Sequence, residues 1–357
     1  MKAFPQRIAA LATAVAVVVA APIVHAGKDP EETVPPNVMI EKPEKQVEGQ
    51  RVKIVQKGEK FMVPTCRVAF RLENSASAST NSALSNIGCS SGSYSNCKSD
   101  ASVSMSVVLA NFSNADMQAA TDAVCNDFVD QLKTAGKPVV TWKELPGNKA
   151  YDEIDFAEPK KDGVYHEGFN GSDYIVMAPS DGKLFFTHEN LGLGDQGPAS
   201  LGNWRAMNEL SAKNKAVVLV PHFMVNFAEM SSSGRNKMLK STAEVGAKPA
   251  LGLESGATRL HIYQAKMRLA GDMGGLTVRD LKPVSSDIGE IREQKEFDNS
   301  GIVIPLANLF GATSAMTSKK SYNVLVADPE KFKAGVVTAG QLMNGVYAHV
   351  IKGYVAD

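Results

Sequence analysis

Residues 102–145, SVSMSVVLANFSNADMQAATDAVCNDFVDQLKTAGKPVVTWKEL, read as strand, helix, strand, and the fold class follows from them. Val103, Met105 and Val107 alternate with serines before Val108, Leu109 and Ala110 continue apolar, as a strand entering a core does. Asn111, Ser113 or Asn114 caps the next element, because a short oxygen-bearing side chain satisfies amides that the first helical turn leaves free. Met117, Thr121, Val124, Cys125, Phe128 and Leu132 then recur at three and four residues, one apolar stripe on a helix. Gly136 supplies a left-handed stop, Pro138 forbids continuation, and Val139–Trp142 begins another strand.

Outward from this unit the pattern is mixed. On the amino-terminal side Arg51–Gln56 alternates like a strand, and Met62–Leu72 is a second, with Arg67 and Arg71 facing away from Val68 and Phe70. On the other side Pro146–Asn170 is polar and turn-rich, and Ser172–Ala178 with Lys183–Thr187 reads as a hairpin around Pro179–Gly182. A Gly-rich turn, Leu191–Gly202, leads into a helix near Asn203–Lys213. Ala216–Glu229 is a strand interrupted by Pro221, which implies a bulge or an edge position. Arg259–Leu269, Leu276–Arg279 and Tyr322–Ala327 are further strands, and Asp328 caps a last helix whose first residue is Pro329. The expected class is α/β in the mixed (α+β) sense, a mixed sheet with flanking helices and several antiparallel hairpins. The expected division is a signal peptide at 1–26, a mobile leader at 27–50, an α/β domain at 51–190 and, at 191–357, a second lobe or a continuation of the same domain.

The amino terminus assigns the compartment. Lys2 and Arg7 precede an apolar run over Ile8–Val24, and Val24-His25-Ala26 has the small-x-small form of a cleavage site, so a Sec-type signal peptide and a periplasmic or secreted protein are expected. Removing Lys2 and Arg7 from the 38 basic side chains leaves 36 against 38 acidic ones. A balance so near neutrality offers no general attraction for nucleic acid. No later stretch is long and apolar enough to cross a membrane as a helix.

Four cysteines in an exported chain suggest bridges. Cys89 and Cys97 bracket the flexible SSGSYSN and are expected to pair. Cys66, on the face of Val68, Phe70 and Leu72, and Cys125, on the helix stripe, either meet between sheet and helix or stay as two buried thiols. Both members of the first pair lie in Glu73–Ser106, which holds thirteen serines and few large side chains. This segment is expected as a long loop or ragged hairpin, with Ser90, Ser93, Tyr94 and Asn96 as candidate binding residues.

Motifs for catalysis are weak. Gly192–Gly197 fits GxGxxG, but Pro198 follows at once and no acidic residue ends the next strand, so a plain turn is the better reading. Ser95-Asn96-Cys97-Lys98 fits SxxK without a KTG partner. None of the five histidines of the processed chain pairs with another at metal-ligand spacing, and neither a metal nor a cofactor is expected. His188 beside Glu189, with His222 and Asn226 on one face of a strand, form the alternative site, that of an envelope hydrolase.

Val107–Phe112, Phe128, Leu132, Gly136 and Val139–Val140 together resemble the amino-terminal α/β module of TolB and of the curli secretion channel. The likeness covers about forty residues. It implies an envelope-associated protein that works by protein contacts; the channel's lipoprotein cysteine is absent, so its anchoring and pore-forming role is not carried over. The leading expectation is therefore a non-enzymatic assembly or binding component whose partner is an envelope protein or a second copy of itself.

Overall fold

The computed structural model describes residues 43–50, 52, 55, 58–79, 102–134, 136–154, 156, 164–169, 172–184, 198–237, 240–265, 274–279, 281–293 and 318–353. The signal peptide, most of the leader, Cys89, Cys97, His188 and the GxGxxG stretch lie outside them. The fold is mixed α/β, as the patterning requires, and its strands form two sheets.

The larger sheet is ten-stranded, and its main path begins with β1 (Val47–Gln50). β2 (Phe61–Val63) and β3 (Arg67–Arg71) follow in the chain, and β3 passes through Leu72 alone into β4 (Glu73–Ser79) of the smaller sheet. Leu72 N donates to Asp173 O of the large sheet while its own carbonyl accepts from Leu109 N of the small one, so this residue is where the sheets part. β5 (Ser102–Ala110) pairs antiparallel with β4 from Val108 opposite Glu73 to Ser102 opposite Ser79, which makes the serine-rich segment a hairpin at its base. Residues 80–101 of that segment are outside the described set.

Helix α1 (Asn114–Lys133) begins where the sequence said. Ser113 is the cap, its hydroxyl accepts from Asp116 N at 3.2 Å, and the Asp116 carboxylate accepts in return from Ser113 N at 3.1 Å, a capping box. Every residue of the expected stripe is buried, and the large ones each contribute about 1.5–3 kcal/mol. β6 (Val139–Thr141) follows, but it pairs parallel with β2 in the large sheet, whereas β5 belongs to the small one. The unit is thus strand, helix, strand in order, with the helix crossing from one sheet to the other.

A one-turn helix, α2 (Lys149–Asp152), leads to β7 (Tyr165–Phe169), β8 (Ser172–Met177) and helix α3 (Pro198–Asn214). β8 pairs with β7, which precedes it, and with β3, so the hairpin expected with Lys183–Thr187 is corrected. Period-2 patterning placed β8 correctly but cannot say which neighbour it joins.

β9 (Val217–Lys237) and β10 (Lys240–Leu253) form a long antiparallel hairpin. β11 (Arg259–Tyr263) pairs with β9 and with β12 (Gly274–Val278), which pairs with β1. Strand β1 therefore lies inside the stretch expected as mobile leader, while most of the strand expected at Arg51–Gln56 lies outside the described residues. β13 (Gly289–Glu293) and β14 (Ser318–Ala327) complete the small sheet in the order β13-β14-β5-β4, with β14 parallel to β5. Helix α4 (Pro329–Gly353) then starts on Asp328, whose carboxylate accepts from Lys331 N at 3.2 Å. Both sheets draw strands from either side of residue 190.

Three layers result. One face of the large sheet (Val68, Phe70, Leu219, Phe223, Val225) packs on α1 and α4 (Val124, Phe128, Met343, Tyr347), and the core continues into Val107, Leu109 and Leu325 of the small sheet. The other face (Met62, Val218, Val220, Tyr263) packs on Tyr151 of α2 and on Met207 and Leu210 of α3. Cys66 and Cys125 are bonded, with Cα atoms 5.9 Å apart, tying the entry to β3 to the buried stripe of α1. Of the two outcomes open for these cysteines, tertiary packing selects the bond.

Candidate functional site

Polar side chains gather where the sheets part. Alternation along β3 puts Arg67, Ala69 and Arg71 on one face, and the same alternation along β9 puts His222, Met224 and Asn226 beside them, because β3 and β9 run parallel in register from Arg67–His222 to Phe70–Val225. The two ends of this face have different environments.

At the inner end His222 is 1 % exposed, and its Cα partners are Arg67 of β3 and Arg259 of β11. Arg67 is equally buried and bears on Tyr263: burial pushes that phenol well above its ordinary range, and the guanidinium pulls it partly back. His222 is sealed within the sheet and does not reach the surface.

At the outer end Arg71 holds a network together. Its Nη1 lies 3.1 Å from Glu254 Oε1 and donates to Asn74 Oδ1 at 2.9 Å, and its Nη2 donates to Ser172 Oγ at 2.9 Å. The Tyr174 hydroxyl donates to Glu254 Oε1 at 3.0 Å, with the guanidinium 5.5 Å from its ring centroid. Asn74 Nδ2 passes the network to Asn226 Oδ1 at 2.9 Å, joining β4 of the small sheet to β9 of the large one. The charge of Arg71 is answered by a carboxylate, and its donors are largely spent inside the protein, which is the chemistry of a structural clamp.

Asn226 also opens onto the surface. The register of β9 with β10 shifts between Pro249–Ala228 and Gly252–Asn226, a bulge with one more residue on β10. Beside it lies a groove of about 180 Å³ lined by Asn226, Glu229, Gly252, Leu253, Leu281 and Pro283. Glu229 is half-exposed and paired with Lys248 at 3.0 Å. The groove offers an amide, a carboxylate and an apolar wall, which suits binding, and it holds no activated nucleophile. Among the described residues no three His, Cys, Asp or Glu side chains come together to hold a metal ion.

Of the residues singled out in the sequence, the structure places Asn226 on the clamp and groove and His222 in the buried row, four positions along the same strand. His188, Ser90, Ser93, Tyr94, Asn96, Cys89 and Cys97 lie outside the described residues. Sequence reading passed over Arg71, Asn74, Tyr174 and Glu254. Arg71 ends β3 and Asn74 is the second residue of β4, three positions apart in the chain, but only the pairing of four strands brings them to Tyr174 and Glu254. Compared with family models, with curated proteins and with solved structures, the chain matches none.

Proposed function

We propose that this is an exported protein of the cell envelope, periplasmic or secreted, that acts through protein contacts as an assembly or binding component. The observation that carries the reading is the outer half of the β9–β10 hairpin. β9 has β11 and β3 beside it only as far as Val225; from Asn226 to Lys237 its one ladder partner among the described residues is β10. Among the described residues, β10 in turn has only the bridge from Leu251 to Ser285 on its outer edge. Backbone donors and acceptors along such edges are ready to pair with a strand of another chain, and Ser231, Ser232 and Ser233 are exposed on it. Strand β4 leaves the same end of the large sheet, since it continues β3, so the serine-rich segment that follows it starts from this pole.

Export is supported by the signal-like amino terminus and by the Cys66–Cys125 bond, which an oxidising compartment favours. The resemblance of Ser106–Leu145 to the TolB and curli-channel modules points the same way. Two measurements test the proposal. Intact mass of the exported protein is expected to show cleavage after Ala26; a mature species that retains Met1 removes the export reading. In a crosslinking experiment in the envelope, alanine at Ser90, Ser93, Tyr94 and Asn96 together is expected to abolish capture of the partner, or of a second copy, at an unchanged thermal transition. His188→Ala is expected to leave capture intact; a hydrolytic activity lost in that variant at unchanged folding would establish the hydrolase instead.

A further inference from the structure

The largely apolar contact between α1 and α4 includes a polar pair, buried Asn344 on α4 and part-buried Asp127 on α1. Asn344 is fully buried on α4, and its Nδ2 donates to Val124 O at 2.9 Å and to Asp127 Oδ2 at 2.8 Å, both on α1. Its Oδ1 is buried as well and accepts no hydrogen bond. An orphaned buried acceptor costs free energy, and turning the amide over would set oxygen against the Val124 carbonyl and the carboxylate, so the orientation is fixed. The two oxygens of a carboxyl are spaced much as the oxygen and nitrogen of an amide. In a cyclic acid–amide pair the carboxyl accepts from the N–H on the same side as the amide oxygen, and its second oxygen then stands opposite that oxygen. An ionised carboxylate has no hydrogen to offer there, whereas a protonated one has a single O–H.

We propose that Asp127 and Asn344 form a proton-operated latch between α1 and α4, closed when Asp127 carries a proton that it donates to Asn344 Oδ1. The closed form is a ring of two hydrogen bonds, N–H to carboxyl oxygen and O–H to amide oxygen. The open form keeps the first bond and leaves the amide oxygen unpaired. One solvent proton closes the latch, and no other reactant enters. The surroundings favour this: burial raises the affinity of Asp127 for its proton, against the hydrogen bonds from Asn344 and Gln131 that lower it, and Asp130 on the same helix raises it further. Asp130 is itself paired with Lys133 at 3.0 Å. From α4 the ammonium of Lys352 donates to Thr134 Oγ1 at 2.8 Å, two turns along α1 from Asp127, and His349 is exposed to solvent. Because the folded protein holds the proton more tightly than the unfolded chain, the contribution is present in full below the unfolded carboxyl pKa. It is lost as the pH rises through the higher folded value. Acid thus tightens the helix pair, in contrast to the usual carboxylate.

Asp127→Asn places a permanent amide donor where the proton would be and imitates the closed latch at every pH. Thermal unfolding of the full chain is to be compared near pH 7 and near pH 4 for the wild type, D127N and D127A. The melting temperature of D127N is expected to exceed that of the wild type by about 2–4 °C near pH 7, with the difference shrinking towards zero near pH 4. D127A, with neither donor nor acceptor, is expected below D127N at both. A D127N difference that is negative at pH 7, equal at the two pH values, or matched by D127A overturns the latch. Should either variant fail to fold, the carboxyl carbon of Asp127 in the wild type is titrated by NMR; a midpoint within the ordinary carboxylate range overturns it equally.

Discussion

At the scale of single residues the decisive group is Arg71. It sits one position before the sheets part, and its side chain and that of Glu254 are 18 % and 13 % exposed. A pair this far from water is strongly felt when one partner goes, because the other is left charged and unanswered. Glu254→Gln is expected to lower stability by about 2–3 kcal/mol in urea unfolding. Replacing Arg71 and Glu254 together by leucine is expected to cost less than the two single changes summed, since no lone charge remains. A Glu254→Gln loss within measurement error of zero would show that the clamp holds nothing. Alternation in the sequence put Arg71 opposite Phe70 and so away from the core, which is correct; its burial comes from β8 and the end of β10, far away in the chain.

At the scale of elements, Pro221 shows how one observation supports two readings. A proline in a strand implies a bulge or an edge, yet Pro221 lies opposite Leu260 in the middle of the large sheet. Amides along β9 alternate in direction, and Val217 N donates to Lys60 O on the β2 side, so the nitrogen of Pro221 faces that side too. There β2 has ended and β3 has not begun, with Pro64–Cys66 between them, and no ladder bond is forfeited. The α1–α4 contact makes a similar point with two glycines. A Cβ on Gly340 would stand 2.5 Å from Val124 Cγ2, whereas one on Gly345 would meet nothing within 4 Å. Gly340→Leu is expected to cost at least about 2 kcal/mol by forcing the helices apart. Gly345→Ala, with helical entropy recovered and no clash, is expected to stabilise by about 0.5–1 kcal/mol. Chemical denaturation of the two variants measures both, and equal signs would contradict the packing described here.

For the whole molecule the Cys66–Cys125 bond is a covalent constraint across layers, closing a separation of 59 residues between the large sheet and α1. Chain-entropy reasoning assigns a loop of this size about 4 kcal/mol. Alanine at both positions is expected to lower the urea midpoint and to raise the slope of the transition, because the unfolded chain without the cross-link is less compact. A loss under about 1 kcal/mol would mean that the apolar layers alone hold α1 in place. The same loss is expected for wild-type protein kept under reducing conditions, which links the stability of the fold to the redox state of its surroundings.

Local physics was legible without the fold. The cap at Ser113, the stripe from Met117 to Leu132, the left-handed stop at Gly136 and the start of α4 on Asp328 and Pro329 depend on neighbours within a turn or two, and all are found. The mixed α/β class follows from the same periodicities. Strands poor in β-forming residues were not legible: β4 is ENSASAS, and β10 contains Gly246, Lys248 and Pro249, so each exists because a stronger strand, β5 or β9, offers it a ladder. Pairing partners were not legible either, since period-2 alternation states which face a residue occupies and nothing about the strand beside it. For that reason the sequence by itself placed His222 and Asn226 on one face. Only the tertiary structure decided that the first is sealed between two arginines and the second joins Arg71, Asn74 and Glu254 where the sheets part.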